Sequence, residues 1–321
     1  TRRLSSAASD VYKRQLEKGY FVNGTLRDKS DISKVKYLTK LKNSHNLYLF
    51  DANMDNEKDF ISPLQDTDAV FIACLTPTYK GKDGTPAKEM DDERGYKEII
   101  NPTVDGCLNI IKTAKYHNIK NVVICSSTSS TNPVPPVKFK NEIDHWSDEK
   151  EQCRSKKYTS ATKTVMEKAA IKYCEENDIR LSIILPTGLY GDPVLPSHLN
   201  HNPFIWLKRV IEGGNPRHEK IPNDSASMIH LRDLAKIFLA VYENPNASGR
   251  YFGVYKSLHW YDIYNECKKL IPNMSMPITF SDKPVEPTGF DFTRRDSLKV
   301  HIRDFSTTLK ETINWPIYSF F

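Results

Sequence analysis

Residues 121–130 read NVVICSSTSS, and residues 158–170 read YTSATKTVMEKAA. The first run is a short β-branched strand that ends in hydroxyl side chains, and the second has apolar residues at helical spacing. Another apolar run follows at 180–185. Strands that alternate with helices in this way predict an α/β fold, in which both faces of a parallel sheet are covered.

Further strand candidates lie on both sides of this region. Short apolar runs at 20–26, 47–50 and 69–74 come before it, and residues 101–120 have the spacing of a buried helix. After Pro186 the chain is rich in proline, glycine and asparagine, as loops are. We predict one domain from residues 16–186 and 229–254, and a smaller, discontinuous domain from residues 187–228 and 255–321.

Composition excludes several classes of protein. The chain has 321 residues, 39% of them hydrophobic and 27% charged, and no apolar run has the roughly 18 residues that span a bilayer. Basic residues are mixed with acidic ones, so we expect no nucleic-acid partner despite a formal charge of +6. Six scattered cysteines without a CxxC pair indicate buried, reduced thiols, no metal site and a cytoplasmic protein.

Three side-chain types in the quoted runs suit the reduction of a carbonyl group. A serine hydroxyl can hold the substrate oxygen, a tyrosine can protonate it, and a lysine beside that tyrosine lowers its pKa from about 10. For these roles the quoted runs offer a choice of hydroxyls at Ser126, Ser127 and Thr128, together with Tyr158 and Lys163. The expected partner is a small-molecule carbonyl substrate, and a nicotinamide cofactor supplies the hydride.

Seven short segments occur in the order that one family shows. They are VNGTLRD, NPTVDGCLN, VVICSS, KTVMEKAA, the turn at 186–191, IHLRDLA and ASGRYF. In this order the chain resembles the extended short-chain dehydrogenases/reductases, in the branch of dihydroflavonol 4-reductase and cinnamoyl-CoA reductase. The resemblance covers nearly all of the chain from Leu16 onward, and it implies a Rossmann-type doubly wound parallel sheet with a smaller substrate domain.

The resemblance implies that Ser127 binds the substrate oxygen, with Ser126 and Thr128 as alternatives, that Tyr158 protonates it, and that Lys163 lowers the pKa of Tyr158. It also implies contacts with NADP(H). Arg27 and Lys34 follow the strand at 20–26 and would bind the 2′-phosphate, because a guanidinium can bond phosphate in two places; a solvated charge is the alternative for Arg27. Asn109 would support Lys163 through water, or would be a helix-surface amide. The other implied contacts are Asn53 and Met54 near adenine, Ala73, Cys74 and Thr76 along the cofactor, Lys163 on the ribose, and Pro186 and Gly188 near the nicotinamide.

The spacing of the tyrosine and the lysine departs from the family. Family members separate the two by four residues, whereas Tyr158 and Lys163 are five apart, and Thr159 holds the expected position. A π-bulge in the helix would absorb the extra residue and let Tyr158 face the cleft. Otherwise Thr159 occupies the position of the acid, and threonine is too weak an acid for this chemistry.

A second departure concerns the N-terminal segment. The chain contains no GxxGxxG, the turn that brings a dinucleotide pyrophosphate to a helix N-terminus. Residues 5–15 read SSAASDVYKRQ, the in-frame translation of a transposase sequencing adapter; a basic transit-like leader is the alternative. We predict that residues 1–15 are an artefact that replaces the first strand and the glycine-rich turn, and that this leaves two interior sheet edges unpaired.

The sequence as a whole favours NADPH-dependent reduction of a carbonyl on a medium-sized, partly apolar compound, such as a dihydroflavonol, an aldehyde or a ketone. One alternative is an NAD-dependent nucleotide-sugar epimerase or dehydratase, against which Arg27 and Lys34 argue. The other alternative is an NADP-binding protein of this fold that lacks catalysis. The sequence does not indicate an oligomeric state.

Overall fold

The secondary structure alternates between strands and helices, as the sequence predicts. The computed structural model describes residues 6–75, 78–200 and 202–314. Its helices are α1 (Ser6–Glu17), α2 (Ile32–Leu38), α3 (Ile61–Leu64), α4 (Asp92–Gly95), α5 (Asn101–Tyr116), α6 (Glu149–Arg154), α7 (Tyr158–Glu176), α8 (Phe204–Ile211), α9 (Leu231–Glu243), α10 (Trp260–Leu270), α11 (Thr293–Ser297) and α12 (Phe305–Asn314). Its strands are β1 (Val22–Leu26), β2 (Leu47–Asp51), β3 (Val70–Ile72), β4 (Asn121–Cys125), β5 (Phe139–Lys140), β6 (Arg180–Pro186), β7 (Gly188–Tyr190), β8 (Ser225–His230), β9 (Gly249–Gly253), β10 (Lys256–His259) and β11 (Gly289–Phe290).

A four-stranded parallel sheet is the centre of the larger part of the molecule. Its strands lie in the order β3-β4-β6-β9. One face is covered by α5 and α7, and the other by α9, which also contacts α1. Because both faces are covered, the strands are continuously apolar, as in VVIC of β4 and IIL of β6. The predicted fold class is therefore confirmed.

The strands β1 and β2 form a separate parallel pair. In the described part of the chain β1 has no other strand partner, and β3 pairs only with β4. A cavity of about 510 Å³ lies between β1 and β3, and residues of both strands line it. The two unpaired edges that the sequence predicts are therefore present, and the sheet is divided into a pair and a group of four.

Helix α1 contains most of the adapter-like segment and packs against α9. Ala7, Ala8 and Val11 are buried in this contact, together with Asp10. Neither carboxylate oxygen of Asp10 has a hydrogen-bond partner among the described residues, and burial raises the pKa of Asp10 well above its usual range. A buried acid without a partner is costly. This segment therefore leaves a buried polar group unsatisfied where it packs against α9. Its artefactual origin stays a prediction.

A smaller unit follows the central sheet. Strands β7, β8 and β10 form a three-stranded sheet in the order β10-β8-β7. Beside it, α8, α10 and α12 form an aromatic core that contains Tyr190, Trp206, Trp260, Tyr264 and Phe305. The residues of this core come from both predicted segments of the smaller domain, while the exact domain boundaries stay a prediction. No helix in the described ranges combines the length and the apolar character that a bilayer crossing needs.

Candidate active site at the carboxyl edge of the sheet

The lysine of the predicted triad lies at the carboxyl end of β3. Lys163 extends from α7 and donates from Nζ to the carbonyl oxygen of Leu75, at 2.8 Å. Only 5% of the residue is exposed. Burial lowers the pKa of Lys163 below that of a free amine, although the nearby Cys125 and Cys107 thiols oppose this shift. A buried amine at the edge where open α/β sheets bind their ligands marks this edge as the candidate site.

The tyrosine of the predicted triad points elsewhere. The hydroxyl of Tyr158 contacts Asp92 Oδ1 at 2.6 Å, Lys156 Nζ at 3.0 Å and the carbonyl oxygen of Met90 at 3.3 Å. The ring packs directly against Gly95, where an added Cβ would lie 2.5 Å from it. Burial and the hydrogen bond to Asp92 raise the pKa of Tyr158, which is the opposite of what a proton donor needs.

The expected bulge in this helix is therefore a wrong prediction. Helix α7 is regular from Tyr158 to Glu176. A π-helical turn does occur nearby, but it spans Tyr96–Ile100, before α5. With about 100° per residue, a separation of five places Tyr158 about 140° away from Lys163 around the helix. The role of Tyr158 in turnover is a separate matter and stays a prediction.

Thr159 lies on the side of the helix that carries Lys163. Its Oγ1 donates to the carbonyl oxygen of Thr78, at 2.7 Å, while Lys163 contacts Leu75 in the same connection after β3. A separation of four residues is one helical turn, so the two side chains share a face. In this geometry a hydroxyl and an amine line the edge, but the hydroxyl belongs to a threonine.

The serine-rich segment after β4 lies at the same edge of the sheet. Ser127 is half-buried, and its Oγ accepts the backbone N–H of Ser129, at 3.2 Å. Ser126 donates its hydroxyl to the carboxylate of Glu167. Because Ser126 is held in that contact, Ser127 is the better candidate of the two to bind a substrate oxygen.

A buried ion pair holds the serine-rich segment, and sequence reasoning missed it. Glu167 and Arg250 are joined by a 2.9 Å contact, and both are almost fully buried. The Arg250 guanidinium also donates to Ser130 Oγ at 3.0 Å and to the carbonyl oxygen of Glu142 at 2.8 Å, and it stacks on Trp146 at 3.6 Å. The available signal was the position of Glu167, four residues after Lys163 and hence one turn further along α7.

The residues predicted to recognise a phosphate lie beyond β1. Arg27 directly follows β1 and is exposed. Lys34, in α2, forms an ion pair with Asp31 at the start of the same helix. That pairing compensates part of the charge of Lys34, which weakens Lys34 as a candidate for a phosphate contact.

The predicted adenine contacts are joined to the central helix α5. Asn109 donates from Nδ2 to the carbonyl oxygen of Met54, at 3.0 Å, and Met54 packs on Gly106. Asn109 therefore positions the segment after β2 and is not a free surface amide. Its support of Lys163 through water stays a prediction. The backbone N–H of Asn53 donates to Asp59 at 2.9 Å.

The remaining cofactor predictions lie near the ends of β3 and β6. Ala73 is buried after β3, and the Cys74 thiol lies 3.7 Å from the Met54 sulfur. Burial raises the pKa of the Cys74 thiol. Thr76 lies outside the described residues.

Pro186 ends β6, and Gly188 begins β7, in the turn predicted to approach the nicotinamide. An added Cβ on Gly188 would lie 2.9 Å from the carbonyl oxygen of Ser227 in β8. Close pairing of β7 with β8 therefore explains this glycine without a ligand.

The sequence comparisons agree with this geometry. A model of the NAD dependent epimerase/dehydratase family matches residues 13–254. The chain belongs to this family. Among curated members, it is 31% identical to a dihydroflavonol 4-reductase of Gerbera hybrida over 87% of this chain and 77% of that protein. It is 29% identical to a cinnamoyl-CoA reductase of Medicago truncatula over 95% of this chain and 91% of that protein.

Solved structures of other proteins share the fold. Vestitone reductase from alfalfa superposes with a TM-score of 0.72 at 21% identity, covering 96% of this chain and 92% of that one. The yeast methylglyoxal/isovaleraldehyde reductase, solved with NADPH, gives 0.78 at 18% identity, covering 98% and 96%. The family and its reductase members identify the chain as an NAD(P)-dependent oxidoreductase that acts on carbonyl or CH–OH groups.

Proposed function

We propose that the protein uses NADPH to reduce a carbonyl group on a medium-sized, partly apolar small molecule. The buried amine of Lys163, at the carboxyl edge and beside the serine-rich segment, carries this proposal. The names of the relatives, which reduce dihydroflavonols, cinnamoyl-CoA and anthocyanidins, support a substrate of this size. We propose no nucleic-acid or membrane partner.

The residues at the edge fit parts of the cofactor. Arg27 offers an exposed guanidinium after β1, which suits the 2′-phosphate that distinguishes NADPH from NADH. Lys163 would hold the ribose next to the nicotinamide, and the bound cofactor supplies a hydride. The chain has no GxxGxxG to receive the pyrophosphate, so we expect weak binding.

Ser127 and a proton donor would complete the site. Ser127 would bind the substrate oxygen through its hydroxyl and orient the carbonyl. For Tyr158 to protonate this oxygen, its hydroxyl must leave Asp92 and the first turn of α7 must rewind. The first turn is the adjustable end of a helix, because its N–H groups have no acceptor within the helix.

A second candidate function follows from the present position of Tyr158. While the hydroxyl of Tyr158 is bonded to Asp92 and Lys156, the described residues of the edge include a lysine and a threonine but no acid of suitable strength. Such a protein would bind NADP(H) without turnover. The epimerase or dehydratase alternative needs the same acid, so the geometry of α7 does not favour it over the reductase.

Substitution of Tyr158 by phenylalanine separates the two candidates. The measurement is NADPH oxidation over a panel of aldehydes and ketones at saturating cofactor, with cofactor binding followed in parallel by nicotinamide fluorescence. For the reductase, we expect turnover to fall by on the order of 10²-fold or more, the usual contribution of a general acid. Tyr20→Phe is the matched control, because Tyr20 donates to Glu243 away from the edge.

Two results would contradict the reductase proposal. One is an equal rate in Tyr158→Phe and in the unchanged protein. The other is NADPH binding without turnover on any compound of the panel, which would support the second candidate.

A further inference from the structure

The outer edge of β2 is open to a further strand. Among the described residues, β2 pairs with β1 on one side and with no strand on the other. The edge of a sheet presents N–H and C=O groups that another strand can bind. Proline and lysine commonly prevent such pairing, and β2, which reads LYLFD, contains neither of them. This edge is therefore a candidate interaction surface.

The hydrogen bonds between β1 and β2 show which backbone groups point outward. The N–H of Ala52, just after β2, donates to the carbonyl oxygen of Leu26 in β1, at 2.7 Å. Successive residues of a strand turn their polar groups to opposite sides. Phe50 therefore turns its N–H and C=O toward β1, whereas Leu49 and Asp51 turn theirs outward.

An antiparallel copy of β2 matches this pattern. With Leu49 opposite Leu49 of a second copy, the two residues exchange both of their hydrogen bonds. The carbonyl oxygen of Leu47 then accepts the N–H of Asp51 from the second copy, while the N–H of Leu47 already donates to the carbonyl oxygen of Ser44. The strand is thus complementary to itself across a two-fold axis.

The side chains match in the same register. Tyr48 lies opposite Phe50 of the second copy, in the kind of pair that has no hydrogen bonds and in which side chains come closest. Tyr48 is 53% exposed in the single chain, so its ring is available for this contact. Aromatic pairs across strands stabilise a sheet, and the symmetry forms this pair on both sides of the axis.

Charge selects the antiparallel direction. Residues 36–46, before β2, carry three lysines and no acid, while residues 51–59, after β2, carry four acids and one lysine. An antiparallel copy places the basic segment of each chain beside the acidic segment of the other. A parallel copy would place like charges together. Lys42 and Asp55 are exposed members of the two segments.

We propose that the outer edge of β2 binds a second copy of this chain, through antiparallel pairing of Leu47–Asp51 about Leu49. A strand pair of this length buries less area than a standard interface of about 1,600 Å², so the dimer is weak, with a Kd on the order of 10 to 100 µM. At lower concentrations the chain is a monomer. The dimer goes beyond the proposed reductase function and does not depend on it.

Analytical ultracentrifugation of the full chain tests the dimer. As the concentration passes from well below to well above this Kd, we expect the mass to rise from 36.9 kDa toward twice that value. Leu49→Pro removes an outward N–H that makes no hydrogen bond to β1, and it should abolish the rise. Leu49→Ala is the matched control, because it also loses the leucine side chain but keeps the N–H, and it should still dimerise.

An exchange of charges tests the direction without altering the strand. Lys42→Glu and Asp55→Lys should each weaken self-association by about threefold to tenfold, because each puts like charges together twice in the symmetric dimer. An equimolar mixture of the two variants should form a heterodimer, since both contacts then join opposite charges. High salt should reduce this preference.

Hydrogen exchange locates the pairing. The amides of Leu49 and Asp51 should exchange more slowly as the concentration rises, and the amide of Phe50, which faces β1, should change less. A chain that stays monomeric would overturn the proposal, and so would equal dimerisation of Leu49→Pro and Leu49→Ala. Growth into open-ended assemblies, or a mixture of the charge variants without preference for the heterodimer, would also overturn it, since a two-fold antiparallel pair closes at two copies.

Discussion

Arg250 connects three parts of the molecule through one guanidinium. It reaches Glu167 on α7, Ser130 in the serine-rich segment and the carbonyl of Glu142, while its plane stacks on Trp146. A buried charge with this many partners is costly to leave unpaired. The pair therefore fixes where the serine-rich segment lies relative to Lys163, one turn before Glu167 on the same helix.

Replacement of Arg250 by methionine should be strongly destabilising. Glu167 would be left buried without its cation, and breaking such a pair costs about 3 to 5 kcal/mol of unfolding free energy. The measurement is urea denaturation. Lys172→Met is the matched control, because it breaks an exposed pair with Glu176 and should cost under about 0.5 kcal/mol.

The double variant Glu167→Met/Arg250→Met tests the physical reason. Removing both charges should recover part of the loss, since no unpaired ion remains. If the double variant loses as much unfolding free energy as the two single variants lose together, then packing around Trp146, and not charge, dominates.

His230 should make stability depend on pH. Burial lowers the pKa of His230, Arg303 lowers it further, and Asp233, Glu311 and Asp192 oppose the shift. Because the folded-state pKa lies below the unfolded value of about 6.5, the unfolded chain takes up the proton first as the pH falls. Stability should therefore decrease as the pH drops below about 6.5, until the folded-state pKa is passed.

Tm measured across this range checks the prediction. His230→Gln should weaken the dependence of Tm on pH. His301→Gln, a change at an exposed position, should leave that dependence as it is. Some slope should remain in His230→Gln, because burial also lowers the pKa of His218. An unchanged slope in His230→Gln would assign the effect to other groups.

The sequence predicts these residues unevenly. Lys163 and Ser127 could be placed at the carboxyl edge of the sheet. Ser127 closely follows a predicted strand, and Lys163 lies on one face of a predicted helix. Glu167 and Arg250 could not be paired, because they are 83 positions apart and meet only through the tertiary fold. The contact of Lys34 with Asp31 is local, and its (i, i+3) spacing could have indicated it.

At the scale of the element, the register of α7 decides which side chains share the edge. Tyr158 is the first residue of the helix, and its ring fits against Gly95 because no side chain stands there. The helix is held by this contact and by the Lys163 contact at the same time. A bulge between them would break one of the two, which explains why the helix stays regular.

Moving the tyrosine by one position should restore the four-residue spacing. The variant is Tyr158→Phe/Thr159→Tyr, in which the new tyrosine shares a face with Lys163. We expect NADPH-dependent carbonyl reduction to rise above that of Tyr158→Phe alone by on the order of 10²-fold or more. Turnover is measured at saturating NADPH, and fluorescence confirms that both variants bind the cofactor equally.

The single variant Thr159→Val is the control for lost hydroxyl contacts, since Thr159 donates to Thr78. No gain in the double variant, with cofactor bound, would mean that the face of α7 near Lys163 is not where a substrate oxygen is protonated.

The strands were predictable because their pattern is strong and local. The runs predicted at 47–50 and 180–185 correspond to β2 and β6, with ends that differ by one residue at most, and the strand predicted at the start of 121–130 corresponds to β4. Their continuous apolar character comes from burial on both faces. The orientation of Tyr158 was not predictable in the same way, because spacing alone cannot show whether an extra residue is absorbed by a bulge or turns its side chain away.

At the scale of the whole molecule, we expect the two parts of the divided sheet to differ in local stability. β4 lies inside the four-stranded sheet and is buried along most of its length, whereas β2 is half-exposed in a two-stranded pair. Two-stranded pairs are marginally stable alone. Here the pair depends on contacts of β1 with α1 and α3, and the cavity separates it from β3.

Native-state hydrogen exchange should show this division directly. We expect amides of Leu47–Asp51 to exchange at least about 100-fold faster than those of Asn121–Cys125, a difference of ~2.8 kcal/mol in opening free energy. The reason is that, among the residues that the structure describes, opening the β1–β2 pair breaks no strand hydrogen bond to the four-stranded sheet. The exchange rates are followed by NMR or by mass spectrometry of the two peptides. Equal protection of β2 and β4 would mean that the molecule unfolds as one unit, with the helices coupling the two parts of the sheet across the cavity.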